Sequence, residues 1–140
     1  MNPTPTKSSL PHRIADFSSL CQALDYAAQG ITGFNFYNGR GELYSTLPYQ
    51  ALQAAAVKTA KGMVAKKIPI GSRILIIADT VPDFAILFFP CQYASLIAVP
   101  VNLPVGLGGK DSYIAGLRRQ MQDCKAYGAA SPQELIEFLK

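Results

Sequence analysis

A chain of 140 residues with a formal charge of +4, 49% apolar residues and 16% charged ones has the composition of a packed domain, not of a disordered segment. Its thirteen Lys and Arg are scattered, with Lys66-Lys67 and Arg118-Arg119 the only doublets, so no basic stripe interleaved with aromatics points to nucleic acid. Three distant cysteines (Cys21, Cys91, Cys124) without C-x-x-C spacing argue for reduced, mostly buried thiols. The lone His12 in a Pro/Ser/Thr-rich head excludes most His-dependent triads and metal clusters within the chain.

Met1–Pro11 lacks the apolar core of a secretory signal, and residues 1–15 read as a flexible arm before a folded unit over 16–140. Ser19-Leu20-Cys21-Gln22 has capping-box spacing, and Leu20, Ala23, Leu24 and Ala27 then recur at helical spacing. Gly30 stands where a left-handed residue would end that helix. Aromatic-rich runs at 34–37 and 42–46 flank Asn38-Gly39-Arg40-Gly41, the signature of a β-hairpin. Pro48 to about Lys67 reads as a helix, with Leu52, Ala55, Ala56, Thr59, Ala60, Met63 and Val64 on one stripe and lysines mostly elsewhere.

Arg73–Ala78 is a continuous aliphatic run without alternation, the pattern of a strand covered on both faces. Asp79-Thr80-Val81-Pro82-Asp83 supplies a cap and a helix-opening proline. A helix to about Ala94 leads into a second apolar strand, Leu96–Val101. From Phe84 to Gly109 no residue is charged, which imitates a membrane span. Pro90, Pro100 and the polar Gln92, Tyr93 and Ser95 instead favour a buried helix followed by a buried strand. The two strands should be parallel, with a right-handed crossover. A Pro/Gly loop over 103–109 precedes a helix capped by Asp111 or Ser112, whose Ile114, Leu117, Met121 and Cys124 share a face. A third strand over 125–130 follows. Ser131-Pro132-Gln133-Glu134 opens a last helix by a capping box, with Pro132 at its first position. The fold class is therefore α/β: a partial doubly wound βαβ unit of mainly parallel strands, plus an N-terminal β-hairpin.

Little in this order carries chemistry. The loop from Val105 to Ser112 sits where phosphate loops sit, but Pro104 stands where a Walker glycine is required and Asp111 where Ser or Thr must reach a metal. Asp79 and Asp83 could act as an acid–base pair, although carboxylates at a helix start more often cap it. Phe84, Phe88, Phe89 and Tyr93 could line an apolar site, although such a stripe is more often core. No serine has a G-x-S-x-G context. No catalytic, cofactor-binding or metal-ligating residue emerges.

The central unit nevertheless has relatives. Gly71–Ile76, Pro82-Asp83-Phe84 and Cys91–Val101 resemble the N-terminal region of adenylate-forming ligases, which include acyl-CoA synthetases and nonribosomal-peptide adenylation domains. Ala94, Ser95, Val99, Pro100 and Val101 are similar to a structural core motif of that family, with Ser95 in place of its usual glycine. Leu47–Leu52 resembles the family's Thr-Tyr-x-Glu-Leu helix start, from which Pro48 and Gln50 depart. Ala15-Asp16-Phe17, Asn35-Phe36-Tyr37 and Val99–Pro104 are most similar to fatty acyl-AMP ligases. The resemblance implies a larger parent, of which 16–140 is an incomplete N-terminal subdomain. That parent would use ATP and Mg²⁺ to convert a fatty acid to its acyl-adenylate and pass the acyl group to an acyl carrier protein. Its catalytic and nucleotide-binding motifs lie downstream in the family, so the fragment alone is expected to be inactive and to bind no cofactor. The implied setting is cytoplasmic, with the rest of the ligase as partner. Two alternatives are the corresponding part of an acyl-CoA ligase and a free-standing α/β binding or assembly module.

Overall fold

The computed structural model describes residues 10–103 and 109–139. Most of the expected arm and residues 104–108 of the Pro/Gly loop lie outside them. The chain divides into two units, 1–55 and 56–140, with the division inside one helix.

In the first unit, α1 spans Leu20–Ala27, and Ser19 precedes it in an extended conformation whose Oγ accepts from the Gln22 N–H at 3.2 Å. Gln22 Oε1 returns to the Ser18 N–H, also 3.2 Å, one residue before the expected partner. The helix end departs from expectation. Gly30 is not left-handed; the last turn closes through Gln29 N–H to the Tyr26 carbonyl and Gly30 N–H to the Ala27 carbonyl, each 3.1 Å. Preceding the helix, the Arg13 guanidinium lies 4.2 Å from the Phe17 ring centre and 2.8 Å from the Asp16 carboxylate, and that hydrogen-bonded pair holds Asp16 below its ordinary pKa. The Tyr26 hydroxyl donates to the Pro11 carbonyl at 2.5 Å.

Strands β1 (Gly33–Tyr37) and β2 (Leu43–Pro48) form the expected antiparallel hairpin, with an irregularity between Phe36 and Tyr37. Its turn is longer than a two-residue Asn-Gly turn. The Asn38 side-chain oxygen accepts from the Arg40 and Glu42 N–H groups at 2.9 and 3.0 Å, and Gly41, at φ +78°, is the left-handed residue.

Helix α2 (Tyr49–Ala65) follows β2 directly, so Pro48 ends a strand instead of opening the helix. Its buried positions are Leu52, Ala56 and Ala60, a narrower stripe than the sequence suggests: Thr59 is exposed, and Val64 is 61% exposed.

The second unit is built on β3 (Arg73–Ile77), β4 (Ile97–Val101) and β5 (Gly128–Ala130), all parallel, in the order β4-β3-β5. Ile74 to Ile77 are buried without interruption because β3 is central and covered on both faces. Ile74 and Ile76 point into a cluster with Ala60, Cys91, Ala94 and Leu96, closed by α2 and by α3 (Pro82–Tyr93). Leu75 and Ile77 point the other way, to Leu117, Tyr113, Met121 and Cys124 of α4 (Gly109–Asp123) and the residue after it, and to Leu135 of α5 (Gln133–Leu139). Of α3's twelve residues only Asp83 is exposed, which accounts for the absence of charge from Phe84 to Tyr93. No helix among the described residues is long and apolar enough to cross one. The Ile97 N–H donates to the Ser72 carbonyl at 2.9 Å. Backbone groups of a strand alternate in direction, so residues 97, 99 and 101 face β3 and Pro100 presents its donor-less nitrogen to the outer edge.

Three helix starts differ from their sequence signals. The N-cap of α3 is Val81, without a side-chain hydrogen bond, because the Asp79 carboxylate turns to the adjacent Thr80 N–H at 2.7 Å. Helix α4 begins at Gly109, which puts Asp111 and Ser112 inside its first turn. Ahead of α5, the Ser131 hydroxyl donates to the Pro132 carbonyl at 3.4 Å instead of capping, and that carbonyl accepts the Leu135 and Ile136 N–H groups at 3.1 Å. Pro132 thus precedes the first helical residue.

Candidate functional site

In an open parallel sheet, ligands favour the crevice beyond the carboxyl ends of the strands, where the connections run off to opposite sides. Here β3 connects to β4 on one side, and β5 lies on the other, so that point falls between β3 and β5. A groove of about 300 Å³ lies there, lined by Ala78, Asp79 and Val81 after β3, Leu103 after β4, and Pro132, Glu134 and Leu135 after β5. The neighbouring strand end is tied down by the Tyr113 hydroxyl, which donates to the Asn102 carbonyl at 3.0 Å; burial pushes that phenol above its ordinary pKa. The groove is largely apolar, with two acidic side chains. Single-strand patterns gave Asp79 as a candidate but not Glu134 or Leu135, because strand order brings them near and strand order is not written in local periodicity.

None of the described residues that line this groove is a nucleophile paired with a base. Asp83, the other half of the postulated acid–base pair, does not line it and sits in the first turn of α3. Phe84 and Tyr93 pack against the core, and Phe84 stacks on Phe88 with centroids 5.7 Å apart, so this stripe is structural. Among the described residues no group of three or more His, Cys, Asp and Glu could hold a metal ion. Cys91 is buried while Cys21 and Cys124 are partly so, and no disulfide joins them. Burial raises the thiol pKa of Cys91, and burial followed by the nearby Asp25 raises that of Cys21, so neither is primed as a nucleophile. Gly109, Lys110, Asp111 and Ser112 of the failed phosphate loop form the opening of α4.

The motif residues are brought together as scaffold. Ala94 is the buried C-cap of α3, and Val99 and Val101 pack against the Leu75–Leu117 core. Ser95 is left-handed, at φ +56°. Its N–H donates to the Gln92 carbonyl at 3.2 Å and the Leu96 N–H to the Cys91 carbonyl at 2.7 Å, the paired bonds of a Schellman ending. This is why glycine suits the position, and a serine there carries a conformational cost. Ser95→Gly should raise the unfolding free energy by about 1 kcal/mol, checked by urea denaturation, whereas Ser95→Val should lower it.

No family model matches the chain. It is 44% identical, over 97% of its length, to a Caulobacter vibrioides (strain NA1000 / CB15N) protein that carries the provisional name acyl-CoA synthetase, of which it spans 24%. Among solved structures, a chain from studies of fatty acyl-adenylate ligases of E. coli and L. pneumophila superposes with a TM-score of 0.79 and 41% identity, over 89% of this chain and 22% of that one. In sequence and fold, this chain matches a segment of the adenylate-forming ligases. A fatty acid AMP ligase of Legionella pneumophila repeats the fold with a TM-score of 0.73 at 23% identity, covering 87% of this chain and 21% of its own. The chain thus spans about a quarter of the length of these ligases. The βαβ core and the Ala94–Val101 turn thus lie in a fold that this chain shares with part of those ligases.

Proposed function

We propose that the chain is the N-terminal portion of a fatty acyl-AMP ligase, with residues 16–140 forming an incomplete subdomain. The parent takes a fatty acid, ATP and Mg²⁺ to the acyl-adenylate and pyrophosphate, and passes the acyl group to an acyl carrier protein in the cytoplasm. The observation that carries this reading is the 41% identity and 0.79 TM-score to a structure of the fatty acyl-adenylate ligase type. The chain's own residues supply the sheet and the groove at its carboxyl edge, and the adenylation chemistry comes from the remainder of the parent. The Caulobacter relative's provisional name favours a second reading, in which coenzyme A is the acceptor.

A hybrid tests both. Residues 16–140 replace the matching segment of the fatty acyl-adenylate ligase, and fatty-acid-dependent ATP–pyrophosphate exchange is measured beside the isolated chain. The expected result is exchange by the hybrid and none by the chain alone. Turnover by the chain alone would sink the fragment reading, and a folded hybrid without exchange would sink the ligase reading. Acyl transfer by the complete parent to a phosphopantetheinylated carrier, and not to coenzyme A, decides the acceptor.

A further inference from the structure

Between Glu42 and Asp79 the chain carries Lys58, Lys61, Lys66, Lys67 and Arg73 and not one carboxylate. All five cations are exposed. In the second unit, the C-terminal half of α2 and Tyr93 enclose a groove of about 380 Å³, lined by Val57, Ala60, Lys61, Val64, Ala65 and Tyr93. Val57, Lys61, Val64 and Ala65 recur at helical spacing, so one side of α2 presents an apolar floor with a cation set in it. Lys58 lies beside that face, and Lys66 and Lys67 follow its end. Val64, at 61% exposure, remains largely open to solvent.

We propose that this face of α2 is a docking surface for an acidic amphipathic helix of a partner protein. The reasoning is complementarity. The floor runs about 12 Å along the axis, two helical turns, which suits the apolar side of a second helix laid into the groove. Carboxylates on that helix's flanks would meet lysines that no acidic neighbour in their own segment offsets. The field of such a one-signed patch steers an acidic partner toward it. A phosphate backbone would use the lysines but not the floor. A bilayer would use the lysines and Val64 but would leave the groove between α2 and Tyr93 unfilled.

The test titrates the 140-residue chain, followed by backbone NMR, with a synthetic peptide of about 18 residues, five helical turns, carrying leucine and glutamate at amphipathic spacing. Saturable shifts centred on residues 57–65 and Tyr93 are expected. The affinity should fall about tenfold between low salt and physiological ionic strength of about 0.15 M. Lys58→Glu/Lys61→Glu should weaken binding about tenfold or more, whereas Lys58→Arg/Lys61→Arg and Arg118→Glu/Arg119→Glu should leave it unchanged. Absence of saturable binding, shifts mapping elsewhere, or indifference to the charge reversal overturns the proposal. So does stronger binding to phosphatidylglycerol vesicles than to the peptide, which would assign the face to lipid. Self-association that the peptide cannot displace assigns it to a second copy and overturns the proposal equally.

Discussion

Ile76→Ala is expected to lower the unfolding free energy of the second unit by about 3–5 kcal/mol, measured by urea denaturation. Ile76 is 0% exposed on the central strand and projects among Ala60 of α2, Cys91 of α3, and Ala94 and Leu96 of the connection from α3 to β4. Three of these four neighbours are small side chains, so the space left by the lost carbons cannot close by simple rotation of neighbours. That places the cost toward the upper part of the range for such truncations. Against a domain stability of about 5–15 kcal/mol, a loss of this size threatens folding itself at 37 °C. Ile76→Val, which removes one methylene, should cost only about 1 kcal/mol. A loss below about 1 kcal/mol for the alanine variant would mean that the cluster collapses freely and that β3 is not the rigid centre described.

The other large effect belongs to the first unit. A Cβ on Gly33 would stand 2.3 Å from the Leu47 carbonyl oxygen and 2.7 Å from the Pro48 Cα, both backbone atoms of the paired strand. No side chain can rotate away, so the strands must part at their open end. Gly33→Ala should cost about 3 kcal/mol and speed amide exchange in β1 and β2. Gly39→Ala is the control: nothing lies within 4 Å of its added Cβ, and its effect should stay within about 0.5 kcal/mol. Equal effects of the two substitutions would refute the steric account.

These positions also mark what could be read from sequence. The four consecutive aliphatics of β3 announced a strand buried on both faces, because no half-exposed strand tolerates that pattern, and Ile74–Ile77 are buried accordingly. The spacing of Ile114, Leu117, Met121 and Cys124 marked the inner face of α4 for the same reason: burial follows the helical period. Helix ends were less legible. Gly30 looked like a left-handed ending and is not one, while Ser95, Lys67 and Lys125 are left-handed without being glycine. Paired Schellman bonds hold Ser95 and Lys125 there, a single bond to the Val64 carbonyl accompanies Lys67, and such contacts outweigh a local preference of about 1–2 kcal/mol. Asp79 and Ser131 illustrate a related limit, since a short polar side chain has several nearby backbone partners and the cap is only one of them. The groove at the carboxyl edge was invisible for another reason. It depends on β5 settling beside β3 instead of β4, a non-local choice that places Glu134 and Leu135 near Asp79.

The orientation of Pro100 has a consequence for how this sheet meets other chains. A strand approaching β4 from the side that no described strand covers finds carbonyls from Ala98 and Pro100 but a single donor, at Ala98. A ladder started there breaks after one residue. That side of the sheet is therefore protected against runaway pairing between copies, the hazard that exposed parallel strands carry while a large α/β protein is still being made. The proline within this apolar stretch of the sequence also guards the strand it interrupts.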